Sequence, residues 1–420
     1  MRHRAAARIL AYTAILAVDL RLALRNILRQ RRRSLIALAA IGFGVVAMML
    51  AAGYIEWIFW ANREEVAIPQ YGHIQVSAPG YHESGKSDPV AYLLRNDPEL
   101  ERTLAALPGV RAVTPRLDFN GLISHGESTL SFLGLGVDPA RDPSIRNILI
   151  VAGRSLDAAD PHGILMGSGL AANLGVKTGD KVVLLSNASG KGLSAVEGHV
   201  RGLASITIKA YNDSMLYVPI ATARSLMRAE GAHVWVVMLE NTDRTDATVA
   251  RLKREAAFSK TEIVPWEQLA DFYHKTVALF SRQIGVVKLI IAAIIVLSIS
   301  NTMTMSVMER TVEIGTAMAL GIRRKRILGL FLLEGGLLGV MGGTLGVVTG
   351  YLLATVVSYF GIPMPAGPGM AHGFIATIMV TPGIVLEAWF LAILTTLLAS
   401  IYPAWRASRL VIVDALRHNR

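Results

Sequence analysis

The sequence predicts an α-helical membrane protein with four transmembrane helices and a large mixed α/β extracytoplasmic domain inserted between helices 1 and 2. Three observations carry that expectation. Four stretches stay apolar for about 20 residues, the length that crosses a bilayer as a helix. One long polar block, residues 61–281, separates the first stretch from the second. The basic residues gather in the short flanks of the apolar stretches instead of spreading over the chain.

Composition agrees with this class. The 420 residues are 52% hydrophobic and only 17% charged, where ordinary soluble domains are about a quarter charged. That excludes a disordered chain. The absence of Cys excludes disulfides, thiolate zinc sites, iron–sulfur clusters and Cys nucleophiles. A net charge of +11 could signal nucleic acid or a membrane surface, and its distribution separates the two.

Residues 1–33 carry nine Arg against Asp19 alone. Leu16, Leu20, Leu24, Ile27 and Leu28 recur near helical spacing, with Arg21, Arg25 and Arg29 on another face. They predict an uncleaved amphipathic helix lying in the cytoplasmic interface. Transmembrane helix 1 is expected over 34–60, because Leu35–Ile55 holds no charge and Trp57, Phe59 and Trp60 follow as an interfacial belt. Helix 2 is expected over 282–308, helix 3 over 327–360, and helix 4 over 384–403, closed by Pro403. The loop 309–326 has five basic residues against Glu309 and Glu313, and the tail 404–420 has four against Asp414. Outside these flanks acids outnumber bases by three. The surplus therefore reads as topology. Both termini and the 309–326 loop are cytoplasmic, residues 61–281 and the short loop 361–383 lie on the other side, and nucleic-acid binding gains no support.

Within 61–281, short strands are expected at Gly72–Val76, Leu117–Ser124, Leu130–Val137, Ile164–Met166, Lys181–Leu185, Met215–Val218, Val234–Leu239 and Thr261–Val264. Helices are expected at Gly169–Leu174, Ala221–Ala229, Asp246–Phe258 and Glu267–Leu279. The block reads as two subdomains.

Motifs for catalysis are weak. Gly80–Ser87 matches a Walker A pattern formally, but Asp88–Pro89 follows at once and disfavours a helix start there. It is read as a surface loop. The ten His show no metal-ligand spacing and no G-x-S-x-G elbow is present, so neither a catalytic set nor a metal site is expected.

Helix 3 carries two overlapping G-x-x-x-G series, Gly335, Gly339, Gly343 and Gly342, Gly346, Gly350. These either pack within one subunit or form a sliding surface between helices. Glu334, about two turns into helix 3, is read as snorkelling toward the nearby cytoplasmic face in preference to a polar contact inside the bundle. Lys288 and Glu387 lie near the outer interface and need no special role. Ser298, Ser300, Asn301, Thr302, Thr304 and Ser306 either bond between helices, as at a dimer seam, or back onto their own helix.

The most specific stretch is Glu309-Arg310, Glu313-Ile314-Gly315, Ala319-Leu320-Gly321, followed by Glu334-Gly335 in the next helix. It resembles the signature of the FtsX/MacB/LolC–LolE permease superfamily of type VII ABC transporters. Tyr402-Pro403-Ala404 and Asp414-Ala415-Leu416-Arg417 are similar to that family's terminal elements, and Leu24–Arg29 to its first helix. Gly134–Pro139 and Leu174–Asp180 resemble parts of the MacB-type periplasmic core domain. Met318 stands where many relatives carry Arg. The chain has no fused ATPase, so the resemblance is nearest to a stand-alone LolC/LolE-like permease, and the outer block is larger than that of FtsX-like division proteins.

The resemblance implies a multi-pass protein of the bacterial inner membrane that performs mechanotransmission. ATP and magnesium would sit on a separate cytoplasmic ABC ATPase dimer, with no cofactor on this chain. Other implied partners are a second permease (a homodimer or a paralogous heterodimer), membrane lipids, and a periplasmic lipoprotein carrier or adaptor. The implied task is extraction or expulsion of an amphiphile, foremost a lipoprotein. Alternatives are signalling to a cell-wall hydrolase and efflux of a hydrophobic small molecule or peptide. The implied ATPase-coupling residues are Glu309, Arg310, Glu313, Ile314, Gly315, Ala317, Leu320 and Gly321, with Ile314, Ala317 and Leu320 offering an apolar face. Gly335, Gly339, Gly342, Gly343, Gly346 and Glu334 are the helix-packing set.

Overall fold

The computed structural model describes residues 18–85, 89–95, 97–146, 148–187, 192–366 and 369–411. The chain forms two units: a helical one from Met1–Ile58, Ala278–Ile362 and Ala376–Arg420, and an α/β one from Phe59–Val277 and Pro363–Ile375. The tail elements from 412 onward lie outside the described residues.

Four helices are long and apolar enough to cross a bilayer: Arg31–Tyr71, Asp271–Glu309, Arg324–Phe360 and Pro382–Ser408. Lipid offers no partner to a backbone N–H or C=O, and a helix satisfies both internally. The helical segments outrun the apolar ones because hydropathy marks only the apolar part. The first passes through a π-helical turn at Asn62–Ala67 and ends at Gly72, whose φ of 74° suits glycine. The second begins at Asp271, with a polar first stretch that includes the i,i+4 pair Asp271–Lys275. Pro403 does not close the fourth helix, which runs on to Ser408 with Pro403 inside it. A proline removes one backbone bond, and here Pro403, Ala404 and Ala407 are buried in the bundle core, where packing holds the turn together.

The glycines of the third helix resolve into two contacts within the chain. A Cβ on Gly335 would lie 2.7 Å from Ser400 Cβ, and one on Gly339 would lie 3.1 Å from Ile393 Cα, both on the fourth helix. A Cβ on Gly342 would lie 2.8 Å from Ile41 Cβ, and one on Gly346 would lie 2.6 Å from Val45 Cβ, both on the first. Gly343 faces Trp389 and Ala392, and Gly350 faces Met49. The third helix is thus the small-residue spine against which the first and fourth close. Lys288 and Glu387, for which the sequence suggests no special role, form an ion pair between the second and fourth helices.

The α/β unit is built on β1 (Ile74–Ser77), β2 (Val110–His125), β3 (Ser128–Val137), β4 (Leu149–Gly153), β5 (Gly163–Gly167), β6 (Lys181–Asn187), β7 (Leu193–Ser205), β8 (Met215–Pro219), β9 (Val234–Leu239) and β10 (Glu262–Pro265). The sheet order is β10-β1-β9-β2-β3-β8-β5-β7-β4, with β6 paired to β2 and β7. β2 is long enough to serve two neighbourhoods. Its first half pairs with β9, and its second half pairs with β3 from Leu117↔Gly136 to His125↔Ser128. Separate cores lie around Ile74, Trp235 and Val237 and around Leu117, Ile123 and Leu184. β4, β7 and the start of β2 have no counterpart among the expected strands. β7 is diluted by Gly198 and Gly202, which the sheet needs because a Cβ on Gly202 would meet the Arg154 backbone.

A buried ion pair sits near the middle of β2. Arg116 Nε and Nη2 donate to Asp142 at 2.7 and 2.8 Å. The same guanidinium donates to the carbonyls of Pro69 and Gln70. Asp142 in turn accepts from Thr114 and Ser144, so each buried charge has several hydrogen-bond partners. The Walker-like segment forms a short helix, Tyr81–Ser84, with Lys86 and Ser87 outside the described residues. The Gly80 N–H donates to Glu262 Oε2 at 2.9 Å, so that N–H is already bonded to a carboxylate. The 361–383 loop contributes to this unit, with Lys209 N donating to Gly369 O at 2.8 Å and Ala371 N to Thr207 O at 2.9 Å.

Candidate functional site

The basic end of the helical unit carries the densest polar network of the described helices. After Glu309 the chain turns into a short helix, Thr311–Ala319. It stops where Gly321 N donates to Met318 O and Ile322 N to Ala317 O. That pairing is a Schellman stop, and it requires the left-handed backbone that Gly321 adopts at φ 92°. Gly321 therefore shapes the turn into the third helix.

Glu334 sits at the centre. It is buried, contrary to the snorkelling expectation, because two donors reach it from other segments. Asn26 Nδ2 donates to Oε1 at 2.6 Å, and Arg310 Nη1 donates to Oε1 and Oε2 at 2.9 and 3.2 Å. Arg310 also lies 5.3 Å over the Phe331 ring and 3.5 Å from Glu313 Oε2. Its guanidinium is thus held by a carboxylate, an aromatic face and a second acid at once.

The N-terminal segment closes the network. Residues 18–29 are helical, and Asp19, Asn26, Arg29, Gln30 and Arg33 recur on one side of this stretch. Arg29 pairs with Glu313, Arg33 with Glu309, and Asp19 with Arg326 at 2.9 Å, while Ser306 Oγ donates to Gln30 Oε1 at 3.0 Å. The hydrogen bond from Arg29, with the charges of Arg29 and Arg310 behind it, holds the Glu313 carboxyl below the usual carboxylate range. Exposed pairs such as Arg29–Glu313 are individually weak, whereas the Arg310–Glu334 pair is shielded and doubly bonded.

The apolar residues of the short helix do not share one face. Ile314, Gly315 and Met318 are buried, Ala317 is partly so, and Leu320 is 81% exposed. Positions i and i+6 stand about 120° apart on a helix, so a stripe drawn through i, i+3 and i+6 rolls from the core to the surface. Glu313, Thr316, Ala319 and Leu320 are what the element shows outward. Arg310 does come together with Glu313 and Glu334, while Glu309 is held by Arg33. Asn26, Arg29, Gln30 and Arg33 join them without having been expected, since their Arg periodicity reads equally well as a headgroup-facing surface.

Among the described residues no three His, Asp or Glu side chains converge on a metal-binding geometry. The second helix turns two members of its polar run back on itself. Thr302 and Thr304 hydroxyls donate to the Ser298 and Ser300 carbonyls of their own helix at 2.8 and 2.7 Å.

Comparison with known proteins places both units. Residues 34–255 match the MacB-like periplasmic core domain, and residues 285–412 match the FtsX-like permease C-terminal domain. An uncharacterised ABC transporter permease of Methanocaldococcus jannaschii is 25% identical over 64% of this chain, which spans 65% of that relative's length. The lipoprotein-releasing system transmembrane protein LolE of Haemophilus influenzae is 22% identical, covering 83% of this chain and 85% of its own. The macrolide export ATP-binding/permease protein MacB of Escherichia coli K12 is 36% identical over 34% of this chain, and only 20% of its own length is matched. With one family domain on more than half of its residues and a second on most of the rest, and four bilayer-length helices, the chain belongs to the FtsX/MacB/LolC-type family of ABC transporter permeases.

Proposed function

We propose that this chain is the non-catalytic membrane subunit of a type VII ABC complex in a bacterial inner membrane, with both termini cytoplasmic. Two permease chains would work with a cytoplasmic ATPase dimer that carries ATP and magnesium. The short helix would dock on the ATPase and pass its motion through the helical bundle to the periplasmic domain, which extracts an amphiphile. The single observation that supports this most is the Arg310–Glu334–Asn26 cluster. It ties the short helix, the third helix and the N-terminal helix into one body, so a push at Glu313 or Leu320 has a stiff path into the bundle. The cargo reading, a lipoprotein, is favoured by the extent of the LolE match, which runs over most of both chains.

Glu313→Lys reverses the charge facing Arg29 and the partner, and Gly315→Trp puts a bulky ring where the short helix is buried. Both are expected to uncouple the complex. With co-purified ATPase, binding and stimulation at the wild-type level would refute the docking assignment. The charge asymmetry predicts a cytoplasmic reporter after Arg420 and a non-cytoplasmic one near Gly190, and the opposite labelling would overturn the orientation. Purification with the ATPase in nucleotide-free lipid discs, followed by mass spectrometry, reads the cargo. A bound lipoprotein supports release. A small hydrophobic molecule supports efflux, and a bound cell-wall hydrolase or its activator supports signalling.

A further inference from the structure

We propose that His73 is an acid-release pin, holding the outer end of the first helix to β9 while its ring is neutral and letting go when the ring is protonated. Past its apolar run the first helix goes through the π-helical turn Asn62–Ala67, where Ile68 N donates to Arg63 O, five residues back. Within this turn Glu64 pairs with Arg63 at 2.9 Å. Glu64 Oε1 also accepts from the Thr242 hydroxyl at 2.9 Å. Thr242 Oγ1 lies 3.1 Å from His73 Nε2, and the Leu239 N–H at the end of β9 donates to His73 Nδ1 at 3.1 Å. The π turn is thereby tied to β9 through Thr242 and the His73 ring.

The direction of every bond in this chain is fixed. A backbone N–H can only donate, so His73 Nδ1 accepts and carries no proton. The proton of the neutral ring therefore sits on Nε2, which donates to Thr242 Oγ1. The threonine hydroxyl in turn gives its single proton to Glu64. A second ring proton has to sit on Nδ1, donor to donor with the Leu239 N–H. The ring has little room to adjust in place. It is 4% exposed, and its backbone is bonded on both sides, His73 N to Val237 O at 3.1 Å and Trp266 N to His73 O at 3.0 Å. Protonation therefore drives the ring from its seat and frees Thr242 and Glu64. Burial pulls the ring's pKa from its usual 6.5 down to about 4, with Glu64 favouring protonation and Arg63 opposing it. The other groups against the ring nitrogens, the β9 amide and the Thr242 hydroxyl, carry no charge. Once the ring is released it regains its ordinary affinity for a proton. The pin is thus at full strength above about pH 6.5 and weakens as pH falls toward 4.

The inference rests on the proposed function only for its consequence, because a pin between the first helix and the sheet lies on the path assigned to force. Amide exchange of the full chain in lipid discs, corrected for the intrinsic pH dependence of exchange, tests the pin itself. Opening of residues 62–72 should rise about tenfold between about pH 7.5 and about pH 5.5. His73→Gln cannot titrate, and its profile should be flat. Glu64→Gln keeps an acceptor for Thr242 but removes the charge that favours protonation, so its rise should begin at lower pH. Thr242→Val keeps the ring and cuts the tie, so the turn should open equally across the range. A flat wild-type profile, or a rise that survives in His73→Gln, would overturn the proposal. Co-purified ATPase then reads the consequence. Its stimulation by the wild type, relative to that by His73→Gln, should fall over the same range. A responsive exchange profile with a constant ratio would leave the pin standing and sink the force path through it. A flat profile with Glu313→Lys still uncoupling the complex would do the reverse.

Discussion

Arg310→Ala should collapse coupling to the ATPase and lower the stability of the helical unit by about 3–5 kcal/mol, the usual cost of stranding a buried charge. Arg310 supplies Glu334 with its only cation among the described contacts, and Asn26 alone cannot neutralise a carboxylate held 4% exposed. The structural and functional losses can be separated. In the double variant Arg310→Ala, Glu334→Gln no charge is stranded, and the remaining amide can still accept from Asn26. Thermal unfolding in detergent should then return most of the way to wild type. Stimulation of the ATPase should stay low, because the short helix has lost its bond to the third helix. If the double variant restored stimulation as well, the pair would be a packing feature and the proposed path for force would be wrong. If Arg310→Ala unfolded like wild type, the burial argument itself would fail.

This pair also marks the limit of what sequence reading could reach. The four spans were legible because a bilayer imposes one length and one composition, and Leu35–Ile55 meets both with no charge at all. The β2–β3 hairpin was legible because alternating apolar residues flank His125–Gly126. β7 was not, since Gly198, His199, Arg201 and Gly202 break its alternation, and its glycines answer to neighbours distant in sequence. Glu334 illustrates the same limit for the site. Its depth in the third helix was evident, but whether it snorkels or bonds depends on Asn26, 308 residues away, and one sequence carries no record of that meeting. The apolar face of the short helix misled for a local reason. Ile314 and Leu320 look like neighbours on paper, yet the helix turns one into the core and the other outward.

The glycine spine yields the second large effect, and its size should follow the hardness of the atom each new Cβ meets. At Gly339 the new methyl falls on Thr396 Oγ1 and lies 3.1 Å from the backbone Cα of Ile393. At Gly346 it lies 2.9 Å from the carbonyl oxygen of Gly42 as well as against Val45. Backbone cannot step aside without moving a whole helix, so Gly339→Ala and Gly346→Ala should each cost about 1–3 kcal/mol. The corresponding Leu variants should leave little folded protein in the membrane. At Gly350 the nearest atom is Met49 Sδ at 3.0 Å, and at Gly343 it is the Trp389 ring edge at 3.2 Å. A thioether can change rotamer and a ring edge can tilt by a few tenths of an ångström, so Ala at these positions should be milder. Gly329, on the same helix, has nothing within 4 Å of its would-be Cβ. There Ala removes the conformational freedom of glycine at no steric cost and should stabilise by up to about 1 kcal/mol. Thr396→Ala in the Gly339→Ala background removes the clashing hydroxyl but not the Ile393 backbone, so recovery should be partial. Unfolding temperatures for this set should rank Gly329→Ala highest and Gly339→Ala and Gly346→Ala lowest. A flat ranking would mean that the third helix does not rest on the first and fourth through these glycines, and the two series would then be free to serve as a sliding surface.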